Sequence, residues 1–226
     1  MTPLQRLVFS FFNLEIMARY LPAILAGLLL TVEIALAVIA TGLVLGLVLA
    51  LTRSFQIRPV TWLIVFVVDL FRAVPPLVVL VLFYFALPHV GIRMSGVTAT
   101  WASLSLVLAA FAEEIFWAGI LAVPRGQWEA ARSTGLTFGQ TLAFVIVPHA
   151  VRLTIPPLTN RAIAITKGTA LASVVGVPEI LSQAITGQSF AGNPSPLTLG
   201  ALAYLILFVP FVVFGRWVET RFAWKH

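Results

Sequence analysis

From Pro22 to Leu51 the chain carries a single charge, Glu33, and from Ile180 to Gly215 it carries none. A helix needs about 20 mainly apolar residues to cross a bilayer. In hydrocarbon the helix is also the natural conformation, because every backbone N–H and C=O must find its partner inside the segment. Runs of this kind point to an all-α integral membrane protein. Five transmembrane helices are readable, at 22–51, 60–87, 97–121, 150–181 and 197–215. The second is interrupted near its middle by the stretch DLFRAVPPL, and the fourth by Pro156 and Pro157. Charged residues are only 10% of the chain, against about 25% in soluble domains. Cysteine is absent, which excludes disulfides and thiolate metal sites.

The cations set the expected topology. Arg53, Arg58, Arg125, Arg132, Arg152, Arg216, Arg221 and Lys225 fall on one side of the five spans, and Arg6, Arg19 and Arg93 on the other. The positive-inside rule then places the N-terminus outside, the C-terminus inside and the central segment in the cytoplasm. The net charge of +6 is thereby a matter of topology. No basic run interleaved with aromatics occurs, so nucleic acid is not an expected partner. Glu15 and Arg19 interrupt what would be the apolar core of a cleavable leader, so the first span is expected to serve as its own signal. Residues 1–20 are expected to form an external amphipathic segment with an anchoring role. Residues 1–226 read as one transmembrane domain.

The segment 125–148 is the exception to the apolar pattern. Pro124 suits a helix start, and Gly135 suits the left-handed position after a helix end. Thr137 and Gln140 stand in capping-box relation and open a second short helix, which Pro148 is expected to limit. The product is a helix-turn-helix. Alanines at 130 and 131 permit close approach by a partner, and Glu129 beside them can pair or cap. A helix presented to a groove is a recurring recognition mode; an ordinary amphipathic loop capping the bundle would look the same by composition.

The spacing resolves further. Glu129-Ala130-Ala131, three residues, Gly135, nine residues, Val145, one residue, Val147-Pro148 resembles the EAA loop of the membrane subunits of ATP-binding-cassette importers, written EAA-x3-G-x9-I-x-LP. FRAVPPLVVLVLFYFALP (71–88), AFAEEIFWAGILAVPRGQWEAA (110–131) and ITKGTALASVVGVPEIL (165–181) resemble further motifs of the polar amino-acid permease branch. The resemblance spans residues 20–221. It implies a coupling helix formed by Glu129, Ala130, Ala131 and Gly135, docked on one of two cytoplasmic ATPase subunits. It also implies a second permease subunit and an external solute-binding protein, in a bacterial inner membrane. This chain has no G-x-x-x-x-G-K-[ST] motif. It is therefore not expected to be an enzyme or to hold a cofactor, with ATP and Mg on the partner ATPase. No ligand cluster suggests a metal.

Ionisable groups inside spans are functional candidates because a bare charge there is costly. Glu114 aligns with a family glutamate and is expected to line or brace the pathway by pairing with Arg72 or Lys167. Glu113 stands where the family has a small residue and is expected to point to cytoplasmic water or the partner subunit. The fourth span carries Asn160, Lys167, Thr169 and Ser173, the last three at near-helical spacing, and their amide and hydroxyls suit a zwitterionic amino acid; helix–helix hydrogen bonding is the alternative use. Arg72, Pro75, Pro76, Pro156 and Pro157 mark expected hinges, since proline removes ladder bonds. Trp117, Gly168 and Ala170 depart from the family's arginine, aspartate and serine. An ion-coupled secondary transporter also uses broken helices, and RAVPPL and RLTIPPL hint at a repeat. Five spans, however, do not divide into equal halves. A non-transporting scaffold leaves the polar span residues without a purpose.

Overall fold

A computed structural model describes residues 2–222, so Lys225 lies outside the described residues. The described chain is helical throughout, with no strand. Helix α1 is Pro3–Phe11, α2 Leu14–Ser54, α3 Arg58–Ala73, α4 Pro76–Val81, α5 Gly96–Ala122, α6 Arg125–Ser133, α7 Phe138–Thr141, α8 Val147–Lys167, α9 Ile180–Ala191 and α10 Ser195–Phe222. Four helical runs are long and apolar enough to cross a membrane. The bent pair Arg58–Ala73 and Pro76–Val90 makes a fifth if taken as one span.

Residues 1–20 divide. Thr2 and Gln5 close a capping box on α1, with Pro3 in its first turn. Leu4, Leu7, Val8, Phe9 and Phe11 are exposed along it. Asn13 then caps α2 by accepting from the Ile16 N–H at 3.2 Å. The first long helix thus begins well before Pro22, which lies inside it. Its 41 residues make a rod about 60 Å long at 1.5 Å per residue, roughly twice the hydrocarbon thickness.

Proline behaves differently at three places. At Val74 the backbone turns extended and α3 ends, as expected ahead of Pro75-Pro76. Pro156 and Pro157, in contrast, lie inside an unbroken α8. The expected break there does not occur. Prolines are tolerated in buried and membrane helices where nearby side chains and packing support the freed backbone. The carbonyls that Pro156 and Pro157 leave without an α-helical donor are those of Arg152 and Leu153; the flanking Thr154 and Thr159 hydroxyls donate instead to the carbonyls of Val151 and Ile155, at 3.0 and 2.8 Å. Nor does Pro148 limit the second short helix. A π-helical turn, Leu142–Ile146, joins α7 to α8, and its wider ladder accommodates the missing N–H. The fourth span therefore starts at Phe138 and ends at Val175, earlier at both ends than the sequence suggests. Residues 182–196, between the expected fourth and fifth spans, contain most of α9. Its N-cap is Glu179, which accepts from Leu181 and Ser182 N–H, and its C′ residue is Gly192 at φ +59°.

The chain divides into two compact units. One holds residues up to Val38, Pro76–Leu104 and Ile165–Val212. Its core gathers Ile24, Ile180, Ala184 and Ala203. Here α2 meets the start of α9 backbone to backbone at Gly27, where a Cβ would come within 2.9 Å of the Glu179 carbonyl carbon. The other unit holds Ile39–Pro75, Ser105–Ala164 and the chain from Val213 onward. Its larger core runs through Ala50, Ala112, Phe116, Ile120, Leu142, Ile146 and Leu158. A Cβ at Gly46 would lie 2.5 Å from that of Ala112, and one at Gly119 would lie 2.4 Å from the Thr154 methyl. Small residues permit this close helix packing in membranes.

Candidate functional site

In the second unit, α6 presents two faces. Ala131 is buried and Trp128 half-buried, while Glu129, Ala130 and Ser133 are exposed. The alanine pair is therefore split: Ala131 lets α6 lie close on its own core, and only Ala130 faces outward beside Glu129. Thr134 caps the helix and Gly135 follows at φ +90°, a backbone state open to glycine and costly to L side chains. Nothing lies within 4 Å of a Cβ built there. Thr137 and Gln140 then form the expected capping box, with N–H to side-chain distances of 2.9 and 3.4 Å. Phe138 locks the turn: its ring stacks on Trp128 at 5.4 Å and meets Phe55 edge-on at 5.5 Å. The expected helix-turn-helix is present, but its second helix is the first turn of a long helical run.

A ladder of charges stands in the same unit. Arg53 donates through Nη1 to both Glu113 oxygens at 3.1 and 3.2 Å, and to Glu114 Oε1 at 3.2 Å. Arg72 reaches Glu114 Oε2 at 3.5 Å, as expected, and Asp69 at 3.5 Å. Glu113 is fully buried; it does not point to cytoplasmic water. Arg53, in the last turn of α2, draws it inward. Trp117 carries the Arg53 guanidinium over its ring at 4.7 Å from the centroid, a face for the cation that an arginine at this position would not supply. Phe111 likewise sits under Arg161 at 3.1 Å and beside Arg72 at 5.6 Å. Neither Arg53 as the hub nor Arg161 was singled out by sequence. A charge at a span end, like Arg53, is ordinary, and only the packing shows how many groups it joins; Arg161 lies inside the fourth span, a position that is itself a signal.

The remaining candidates separate. Asn160 is exposed and donates to the Glu219 carboxylate. Gly168–Val175 is a 3₁₀ helix, so side chains repeat every three residues rather than at α-helical spacing. Thr169, Ala172 and Val175 are its buried face, and the Thr169 hydroxyl returns to the Thr166 carbonyl at 2.7 Å. Lys167 is exposed and Ser173 half-buried on the next face, with the serine hydroxyl donating to the Ala170 carbonyl at 2.7 Å. Lys167 and Thr169 therefore do not share a face. Pro75 is exposed and Pro76 half-buried at the break. Glu179, also missed, is fully buried, N-caps α9 and accepts from the Tyr204 hydroxyl at 2.6 Å. Its signal was Gly192 closing a helix that the polar composition of 182–196 concealed. Glu33 is exposed in the first span and makes no ion pair among the described residues. No group of three or more potential metal ligands occurs among the described residues.

The comparisons agree with this architecture. A probable amino-acid ABC transporter permease protein, YckA of Bacillus subtilis, is 34% identical over 94% of each chain. The arginine transport system permease protein ArtQ of the same organism is 32% identical over 89% of this chain and 93% of that one. A crystal structure described as an amino acid ABC transporter with histidines superposes with a TM-score of 0.82 at 32% identity, covering 91% of this chain and 96% of that one. Residues 42–224 match the model of one transporter family, and the chain belongs to that family, the binding-protein-dependent transport system inner membrane components.

Proposed function

We propose that the chain is the permease subunit of an ATP-driven amino-acid importer. It forms part of the translocation pathway and couples that pathway to a separate ATPase. Family membership and amino-acid permease relatives along nearly the whole chain favour this reading over an ion-coupled secondary transporter. The observation that carries the coupling half is the exposed Glu129–Ala130 face of α6, braced from behind by Ala131 and the Trp128–Phe138 stack. In this reading residues 1–226 are one permease domain in the bacterial inner membrane, with 1–20 external and 125–148 cytoplasmic. Glu129, Ala130, Ala131 and Gly135 dock on the ATPase, with ATP and Mg bound there. A second permease subunit completes the pore, and an external solute-binding protein delivers the substrate.

Substrate contacts are assigned to Glu114 and Asn160 in the second unit and to Lys167 and Ser173 in the first, with Thr169 setting the 3₁₀ segment from behind. Arg72, Pro75 and Pro76 form the flexible joint ahead of α4, and Pro156 and Pro157 a softer one within α8. If the family's aspartate holds a cationic side chain, Gly168 in its place weakens the case for arginine, lysine or histidine as substrate, unless the second permease subunit makes those contacts.

Glu129→Lys tests the coupling. It leaves α6 folded, because the residue is solvent-facing, and is expected to abolish both ATPase co-purification and uptake. Normal co-purification together with normal uptake would remove the coupling role from α6.

A further inference from the structure

Arg161 lies inside the fourth span, and no acid meets it in an ion pair among the described residues. A charge inside a span is costly unless a partner answers it. The acids of α3 and α5 are already taken: Glu113 and Glu114 meet Arg53, and Asp69 and Glu114 meet Arg72. On α10, Glu219 accepts from Asn160. What Arg161 meets instead is a ring. Its guanidinium carbon stands 3.1 Å from the Phe111 centroid, and that of Arg72 approaches the same ring at 5.6 Å. An aromatic ring attracts a cation but does not neutralise it, so two cations share one ring with a single acid, Glu114, touching only Arg72 of the two.

The Arg161 guanidinium is open to a ligand. The residue is half-buried. Its Nε is enclosed without a partner, and its two terminal nitrogens are not enclosed. Those two nitrogens form the fork that matches a carboxylate. Arg72 is loosely held, with a side chain 35% exposed and both of its acids at 3.5 Å, beyond the usual hydrogen-bond range. We infer that Arg161, with Arg72 beside it, receives a carboxylate of the transported solute. The inference rests on the reading of the chain as an amino-acid permease subunit and adds the group that takes the substrate's negative end; Glu114 supplies the opposite charge for its ammonium. The α-carboxylate common to all amino acids and the side-chain carboxylate of the acidic ones share this chemistry.

The test uses the assembled importer in cells given a radiolabelled mixture of protein amino acids, with the accumulated acids separated by chromatography and ATP-depleted cells as the blank. Arg161→Gln keeps an amide donor without the charge, and Arg161→Lys keeps the charge without the fork. Arg161→Gln is expected to lower ATP-dependent uptake about tenfold or more, as loss of a hydrogen bond to a charged group does, and Arg161→Lys to lower it less. Both are expected to melt within about 2 °C of wild type and to keep the ATPase. A loss equal for every transported acid supports the site with the α-carboxylate as ligand. A loss confined to glutamate and aspartate supports it with the side-chain carboxylate. Uptake unchanged in Arg161→Gln overturns the site. So does a lower melting temperature in both variants, which makes Arg161 a packing residue, or a variant complex without two permease subunits, which places the missing anion on the second subunit. Wild type that accumulates no amino acid at the expense of ATP overturns the importer reading itself.

Discussion

The Arg53–Glu113 pair makes a quantitative demand on the protein. The Glu113 side chain is wholly inaccessible and that of Arg53 is 15% exposed. Both carboxylate oxygens are met by one guanidinium nitrogen. Removing one member of a buried pair leaves the other charge desolvated and unpaired, at about 3–5 kcal/mol. For a chain of this size each kcal/mol lowers the melting temperature by about 2–4 °C, so Arg53→Met is expected to melt roughly 6–20 °C below wild type. Glu113→Gln is expected to be milder, because a neutral amide can still accept from Arg53 and Arg53 keeps Glu114. The double variant Arg53→Met/Glu113→Met removes both charges and replaces them by apolar volume. It is expected to recover most of the loss, since well-packed apolar replacements of buried pairs are often neutral. Scanning fluorimetry of detergent-purified protein reads all three. An Arg53→Met variant within about 2 °C of wild type, or a double variant no better than Arg53→Met, would refute the claim that burial rather than attraction governs this site.

Three further outcomes are expected. Gly119→Val forces a branched side chain onto the Thr154 methyl, which lies 2.4 Å from where even a single Cβ would stand; it is expected to cost about 1–3 kcal/mol, visible as loss of a monodisperse peak on size exclusion. Tyr204→Phe removes the 2.6 Å bond to buried Glu179. It should lower stability by about 1.5–3 kcal/mol, the range for hydrogen bonds to charged groups, in a melting assay. At Gly135 the open space around Cβ leaves only backbone strain, so Asn, which enters the left-handed region more readily than Ala, is expected to retain more transport than Ala. A ranking with Ala above Asn in an uptake assay would place the constraint in a partner's groove instead of in φ.

The span pattern is legible because hydrocarbon allows few alternatives: a long apolar run with one charge has to be a helix, and the five expected spans match four helical runs and one bent pair. The helix-turn-helix is legible for a local reason, since Gly135 and the Thr137–Gln140 box each act within one turn. Misreadings arose where local rules are overridden by packing. Pro148 follows a π turn that lets the helix continue, and Pro156 and Pro157 lie inside a helix that runs on through them. The polar face around Lys167 was assigned with the wrong period, because the switch to a 3₁₀ ladder at Gly168 leaves no compositional mark. The sequence points Glu113 to cytoplasmic water or a partner subunit because Arg53, which it meets in the fold, is 60 residues away. That pairing is set by how α2 and α5 approach at Gly46, which no window of sequence contains.

The π turn after α7 has a mechanical meaning. From Phe138 to Lys167 the backbone is helical without a linker, and Phe138 is clamped to α6 through Trp128. A displacement of α6 therefore arrives at α8 as the movement of a stiff rod. Slack is confined to the rungs missing at Pro148, Pro156 and Pro157. A rod carries compression as well as tension, whereas a loop carries only tension. Anything that holds α6 can thus push on α8 as well as pull on it.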